Sequence, residues 1–386
     1  GARLEPGSSP GCASFKKAVF LSGATLAIEI EGPTACTEYD QIVFDEFLSV
    51  DGATLELSGQ YLPIAGDTFI VGRANRQEPS SGPFSGLSNG ATLEFNGALL
   101  EINYSDGFSQ FDIYLATLQG PDQVTWTGAV DSDWYNGDNW SNGAVPTPTQ
   151  DVLIEAGDNP AVLPSGEVSV ARVLLLNNGD LTIAEGAILT LTGSTQGLVA
   201  KSGALTINGN LLVVGASVGG ALLEVPVEIG VNGMLAFEEM NDDVVLKSSL
   251  NCAGQLLLSG GSGLYQQRTS ALVIAETGTC QITQSVGTGL ILDGNSASIA
   301  GQLIVTESGD AGVYVVSVPP QITTTGSLEV LNATGHGLLF DNNDDYSIRN
   351  NGLLSIIDAG LNAIESGIIV NNDGSTFRCD GNIDAG

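Results

Sequence analysis

At 386 residues the chain is long enough for two or three ordinary domains or one long repeat array. Glycine accounts for 51 residues, roughly twice the usual share of about 7%, and charged residues for only 14% against a usual figure of about 25%, which suits many short strands and tight turns and argues against helical surfaces built from Glu, Lys and Arg. The formal charge of −33, from 44 acidic and 11 basic side chains, repels nucleic-acid phosphates, anionic lipid and polyanionic glycans and leaves neutral glycans, cations and basic proteins as partners to expect.

No run of 18 apolar residues is present, so neither a membrane-spanning helix nor membrane insertion is expected of this segment. Residues 1–119 read as an N-terminal β-domain. Its expected strands cover 24–31, 41–50, 53–59, 68–71, 91–95, 99–104 and 111–118, long segments of antiparallel type that suit a sandwich or a solenoid cap. Between them, the stretch 73–88 carries Pro79 and Pro83 and reads as a loop. Cys12 and Cys36 flank one expected hairpin and form a candidate disulfide, which implies an oxidising compartment. The boundary is expected near Gly120-Pro121.

A Trp-rich junction, 120–150, comes next. Asp131, Asp133, Asn136 and Asp138 place carboxylate and amide oxygens at alternating positions on a tight loop, the arrangement a hard cation such as Ca²⁺ favours. The distal Glu of a calcium-binding helix–loop–helix is missing. The simpler reading is a solvated turn over a small core of Trp126, Trp134 and Trp140 that caps the solenoid expected beyond residue 150. No other cofactor is expected.

From 151 to 386 the chain reads as a parallel β-helix, irregular at first. Short strands at 174–176, 181–183, 188–191, 205–207 and 211–214 are broken by glycine. The stretch 237–243, with Glu238, Glu239, Asp242 and Asp243, is the least strand-like and reads as a loop or helical turn. From about 250 a clear repeat sets in. Glycine before alternating aliphatics recurs at Gly254, Gly278, Gly301, Gly326 and Gly352, spaced 24, 23, 25 and 26 residues apart. Glycine before an apolar residue recurs at Gly263, Gly289, Gly312 and Gly337, with spacings of 26, 23 and 25. A third landmark, an isolated apolar strand, is read at Ile274, Ile299, Ile322, Ile348 and Phe377.

Three landmarks sharing one period predict three short strands per turn. A strand of three to five residues cannot bury its face alone, and stacking on the same strand of the next turn pairs its backbone and its side chains. The expectation is an all-β, right-handed parallel β-helix, a solenoid of about 23–26 residues per turn. Asn350-Asn351 and Asn371-Asn372 are expected at corners with left-handed backbone. Cys252 and Cys280, about one repeat apart, form a second candidate disulfide across adjacent turns, leaving Cys379 unassigned. The chain opens on Gly1 and closes inside a repeat at Gly386, so the β-helix is expected to be truncated and the whole to be a stretch of a longer polypeptide.

Candidate catalytic groups are sparse. His336, the single histidine, sits at an expected corner. No Gly-x-Ser-x-Gly elbow is present. The basic residues Lys201, Lys247, Arg268, Arg349 and Arg378 do not recur at one position of the repeat, as uronate chemistry would need. The acidic loop Asp341, Asp344, Asp345 reads as a solvated corner. The Thr-x-Thr runs at 189–192 and 323–325 do not stack into an ice-binding column. The chain is therefore expected not to be an enzyme. Exposed aromatics along one face would favour a carbohydrate-binding or carbohydrate-processing protein instead, and Tyr265 and Tyr314 are the candidates.

Two segments carry a family resemblance. Tyr39-Asp-Gln-Ile-Val43, Val50-Asp-Gly-Ala-Thr-Leu55, Ile64-Ala-Gly-Asp-Thr-Phe69, Gly82-Pro-Phe-Ser-Gly-Leu87 and Ile102-Asn-Tyr104 together resemble a module that ends many bacterial passenger-like β-helical surface proteins. The stretch 107–112 departs from the usual closing strand. Thr125-Trp-Thr-Gly128, Asp133-Trp134, Asn139-Trp140, Val145-Pro146 and Asp151-Val-Leu-Ile154 are similar to the opening of β-helical repeat regions in large secreted proteins of the Bacteroidota type. The resemblance implies an acidic, extracellular repeat protein at the cell surface, a structural protein in an adhesin or appendage, with no catalytic residues. Self-association into a homo-oligomer or fibre, and contact with another cell's surface or a neutral glycan, are the partners it leads us to expect.

Overall fold

The computed structural model describes the chain except residues 8–9, 65–66, 75–79, 105–111, 121, 194–196, 216–220, 241–242, 262, 268, 318, 342–346, 367, 381 and 385–386. The described residues are all-β apart from one short 3-10 turn at Gly137–Asn139. They form two compact units, Gly1–Gln123 and Val124–Gly386.

The first unit is only half antiparallel. Strands Arg3–Leu4, Thr25–Glu29 and Thr54–Ser58 pair in parallel as one sheet. Cys12–Val19, Gln41–Ser49 and Thr68–Ala74 pair in parallel in a second, and only Ile113–Gln119, Ala98–Asn103 and Thr92–Phe95 extend it antiparallel. The early segments are not hairpins. The chain alternates between the two sheets and returns one layer further on, as a small solenoid does. Leu26, Ile28, Ile42, Phe44, Phe69 and Leu100 fill the space between them. The disulfide Cys12–Cys36 forms, across a sequence separation of 24.

In the second unit ten turns of three strands stack into three parallel sheets of twelve, ten and ten strands. The solenoid and its repeat are as the spacing predicts. Its first layer is the Trp-rich segment, which packs into this unit rather than standing as a junction between two. Gln123–Trp126 pairs with Asp151–Ile154. Trp126, Trp134 and Trp140 are buried in the same hydrophobic cluster as the turns above, with edge-to-face ring centroids 4.9 and 4.7 Å apart.

Glycine recurs because the corners leave no room for a side chain. At Gly301 a Cβ would lie 2.1 Å from the carbonyl oxygen of Gly278, one turn earlier, and at Gly312 it would lie 2.2 Å from Val330 Cγ1. The third corner is different. Glu239, Gln284, Glu307, Asn332 and Asp358 all have φ between 55° and 58°, and each directly follows the same position of the third sheet. Left-handed backbone therefore stacks there.

It does not occur at the expected asparagines. Asn350 is fully buried and stands in register with Ile322, at an inward position held by isoleucines and Cys252 in earlier turns. Its amide is satisfied instead. Nδ2 donates to Asn371 Oδ1 at 2.7 Å and to the Thr376 carbonyl at 2.9 Å, and Oδ1 accepts from the Gly352 amide at 3.0 Å. Phe377 belongs to the third sheet, opposite Leu354, and so does not continue the column of Ile274, Ile299 and Ile322. Nor is the start of 237–243 a loop: Met234–Glu238 is a strand with Phe237 in the core, and the chain turns at Glu239.

Candidate interaction face

Strands of the twelve-stranded sheet are short, and their central residue points away from the core while its neighbours enter it. Leu264, Leu290, Val313 and Leu338, for example, belong to the core cluster, whereas Tyr265, Ile291, Tyr314 and Leu339 do not. Register aligns these outward residues into one column: Leu153, Leu174, Val199, Leu222, Val245, Tyr265, Ile291, Tyr314, Leu339, before Glu365 ends the apolar run. All nine are apolar or aromatic. Leu153, Leu174 and Val199 are buried, and from Leu222 onward the column is half-exposed.

The other two sheets carry no such column. The matching outward positions of the second run Val162, Thr182, Thr206, Glu228, Asn251, Val273, Ser298, Gln321, Arg349. On the third, Ser169, Thr190, Leu212, Ala236, Leu257, Gln281, Ile304, Glu329, Ser355 and Arg378 succeed one another, so its apolar run is three residues long. An apolar outward position is costly in water unless something covers it, so the first sheet is the candidate face.

A largely polar column, interrupted by Val316, borders it two residues along each strand. Backbone hydrogen bonds carry the ladder past the strand ends: Gln267 donates to Leu246, Asp293 to Gln266, Val316 to Leu292 and Asp341 to Val315, each at 2.8–2.9 Å. Lower on the same column Lys247 pairs with Glu224 at 2.7 Å. Tyrosine and aspartate thus alternate from turn to turn along the face: Tyr265, then Asp293, then Tyr314, then Asp341.

Two shallow hollows open here. One of about 390 Å³ is lined by Tyr265, Gln267, Thr269 and Asp293. The other, about 220 Å³, is lined by Tyr314, His336, Leu339, Phe340, Asp341, Glu365 and Ser366. Burial, with the carboxylates of Asp341 and Asp293, pushes the Tyr314 phenol above its ordinary range. His336 is not an isolated corner residue. It sits on the rim of the second hollow, Nδ1 3.9 Å from Glu365 Oε2.

The candidate calcium loop is brought together, and the Asp131 carboxylate at its centre is engaged internally. Asp131 Oδ1 accepts from the Asp133 amide at 2.8 Å and from Asn139 Nδ2 at 2.7 Å, and its Oδ2 accepts from Asn136 Nδ2 at 3.0 Å. Asp133 accepts from the Tyr135 amide and Asn136 from the Asp138 amide. The loop closes on itself through Asn139, which is not among the four expected ligands and is fully buried. Among the described residues no group of three or more His, Cys, Asp or Glu is disposed to hold a metal.

The second candidate disulfide does not form: Cys252 and Cys280 are both free and buried. Cys252 stands in the second sheet opposite Ile229 and Ile274, and Cys280 in the third opposite Leu256 and Leu303. A separation near one repeat put them on adjacent turns, but the corner between them turns their side chains out of one stack. Of the acidic loop after Phe340 only Asp341 lies within the described residues, and Asp242 and Arg268 lie outside them. Asp243 serves the backbone, accepting from the Gly263 amide at 2.8 Å.

The profile of a family described as a domain of unknown function (DUF8693) matches residues 125–217. That stretch holds the Trp cap and the first three turns of the solenoid. No curated protein and no solved structure matches the chain.

Proposed function

We propose that the chain is a rigid, non-catalytic segment of a secreted cell-surface adhesin or extracellular appendage, of the Bacteroidota-type β-helical kind that its sequence resembles. The observation that carries this reading is the continuity of the solenoid core: one hydrophobic cluster runs from Val124 into the last turn, where Phe377 and Cys379 pack against it. Each turn adds about 4.8 Å of length, and ten turns without a break make a stiff spacer. Bending it would open parallel ladders on one side and compress packed side chains on the other. Self-association into a fibre and contact with another cell's surface belong to the same reading.

The test is location and form. Immunogold electron microscopy on intact source cells, with antibodies raised against the chain, is expected to label filaments or a layer outside the cell. Label confined to the cytoplasm would overturn the reading.

A further inference from the structure

We propose that the outer face of the first sheet, between Tyr265 and Leu339, binds a neutral β-linked polysaccharide lying along the solenoid axis, with Tyr265 and Tyr314 as stacking platforms and the exposed Asp341 as an acceptor for sugar hydroxyls. This deepens the adhesive reading by naming a ligand class, and it rests on that reading only in choosing binding over turnover.

Three features favour this occupant. First, the face repeats. Tyr265 and Tyr314 occupy one register position two turns apart, so a polymer would meet an aromatic platform twice at a spacing of about 9–10 Å. A β-linked hexopyranose chain turns over at each ring, and like faces recur at every second ring, a span commensurate with two turns. An extended peptide presents side chains on one side every 6.6–6.8 Å or so and falls out of step.

Second, the chemistry alternates as a sugar does. The C–H face of a pyranose covers an aromatic ring, and its equatorial hydroxyls donate to carboxylates at the edge. Third, the net charge of −33 selects against acidic glycans.

The test uses the full chain in calorimetric titrations with cellohexaose, xylohexaose and mannohexaose, with polygalacturonate and a lysine oligopeptide as contrasts. At least one neutral hexasaccharide is expected to bind, more tightly than its disaccharide. Tyr265→Ala and Tyr314→Ala should each weaken that binding about tenfold with the melting temperature unchanged, because both rings lie outside the core cluster. Tyr314→Phe should retain most of the affinity. No binding of any neutral hexasaccharide, binding indifferent to both tyrosine variants, or preferential binding of the polyanion or the lysine peptide would each overturn the proposal. Shorter sugars accumulating in the same incubations would instead overturn the non-catalytic reading and leave the glycan site standing.

Discussion

Arg172 clamps Asp151 across the first two turns of the solenoid, Nε donating to Oδ1 at 2.8 Å and Nη2 to Oδ2, with both side chains almost excluded from water. The two residues are register partners on the twelve-stranded sheet. Removing one partner strands a buried charge. Arg172→Ala is therefore expected to destabilise the second unit by about 3–5 kcal/mol, read as a lower urea midpoint. The double variant Asp151→Leu/Arg172→Leu should recover much of the loss, since no charge is then buried.

The glycine columns make a sharper claim about packing than about flexibility. A Cβ on Gly326 would stand 2.0 Å from the Ile299 carbonyl oxygen, and that backbone cannot yield without breaking register. Gly326→Ala is expected to cost about 3 kcal/mol or more. At Gly374 nothing lies within 4 Å, and the only penalty is its φ of +85°. Gly374→Ala should cost about 1 kcal/mol. Equal effects in thermal melts would contradict the steric account.

Burial pushes the Cys252 thiol up to about 11 from its ordinary 9.0 and the Cys280 thiol higher still. Between about pH 9 and 11 the unfolded chain loses protons that the folded chain keeps, so these thiols make stability fall as pH rises. Cys252→Val/Cys280→Val should flatten that fall by up to about 1.4 kcal/mol per pH unit per thiol, in denaturation curves taken at pH 8, 9 and 10. In native chain at pH 8 iodoacetamide should spare both and reach only the partly exposed Cys379. Cys12→Ser/Cys36→Ser is expected to destabilise the first unit by about 3 kcal/mol and to leave the second unit's transition where it was.

The cap over the tryptophans depends on Asn139. Its Oδ1 accepts from the Val130 and Asp131 amides, and its Nδ2 donates to Asp131 and to the Asp133 carbonyl. Asn139→Ala should cost about 2–3 kcal/mol, visible as an early change in tryptophan fluorescence. Hydrogen bonds from the Asp133 amide, Asn139 and Asn136 hold the Asp131 carboxyl below its ordinary range. The stabilisation from that carboxylate is complete above the ordinary value of 3.8 and is lost as pH falls through the lower folded value. Tryptophan fluorescence tracked down an acid titration should show the cap loosening only there. Excess chelator should leave the melting temperature unchanged, because both Asp131 carboxylate oxygens already accept hydrogen bonds from the protein.

Periodicity alone determined that the chain from about 250 is a three-stranded solenoid. Glycine at Gly254, Gly278, Gly301, Gly326 and Gly352 marks a corner with no room for a Cβ, and that requirement is local enough to leave a mark in every turn. The Trp126, Trp134 and Trp140 core was legible for a similar reason, since few other arrangements satisfy those side chains, whereas the Cys12–Cys36 pair ties one strand to the turn leading into its parallel partner and does not cross the hairpin expected of it. Long-range register was not legible, because turn length varies by a few residues and one residue of slip sends a side chain to the other face. Only the stacked strands decided that Cys252 and Cys280 lie in different sheets and that Asn350 takes an inward aliphatic position with its amide paired. They also decided that the first unit's early strands run parallel. The same holds for the face from Leu153 to Leu339. Each of its nine residues is an ordinary apolar residue in its own strand, and only their alignment, turn upon turn, makes them one surface.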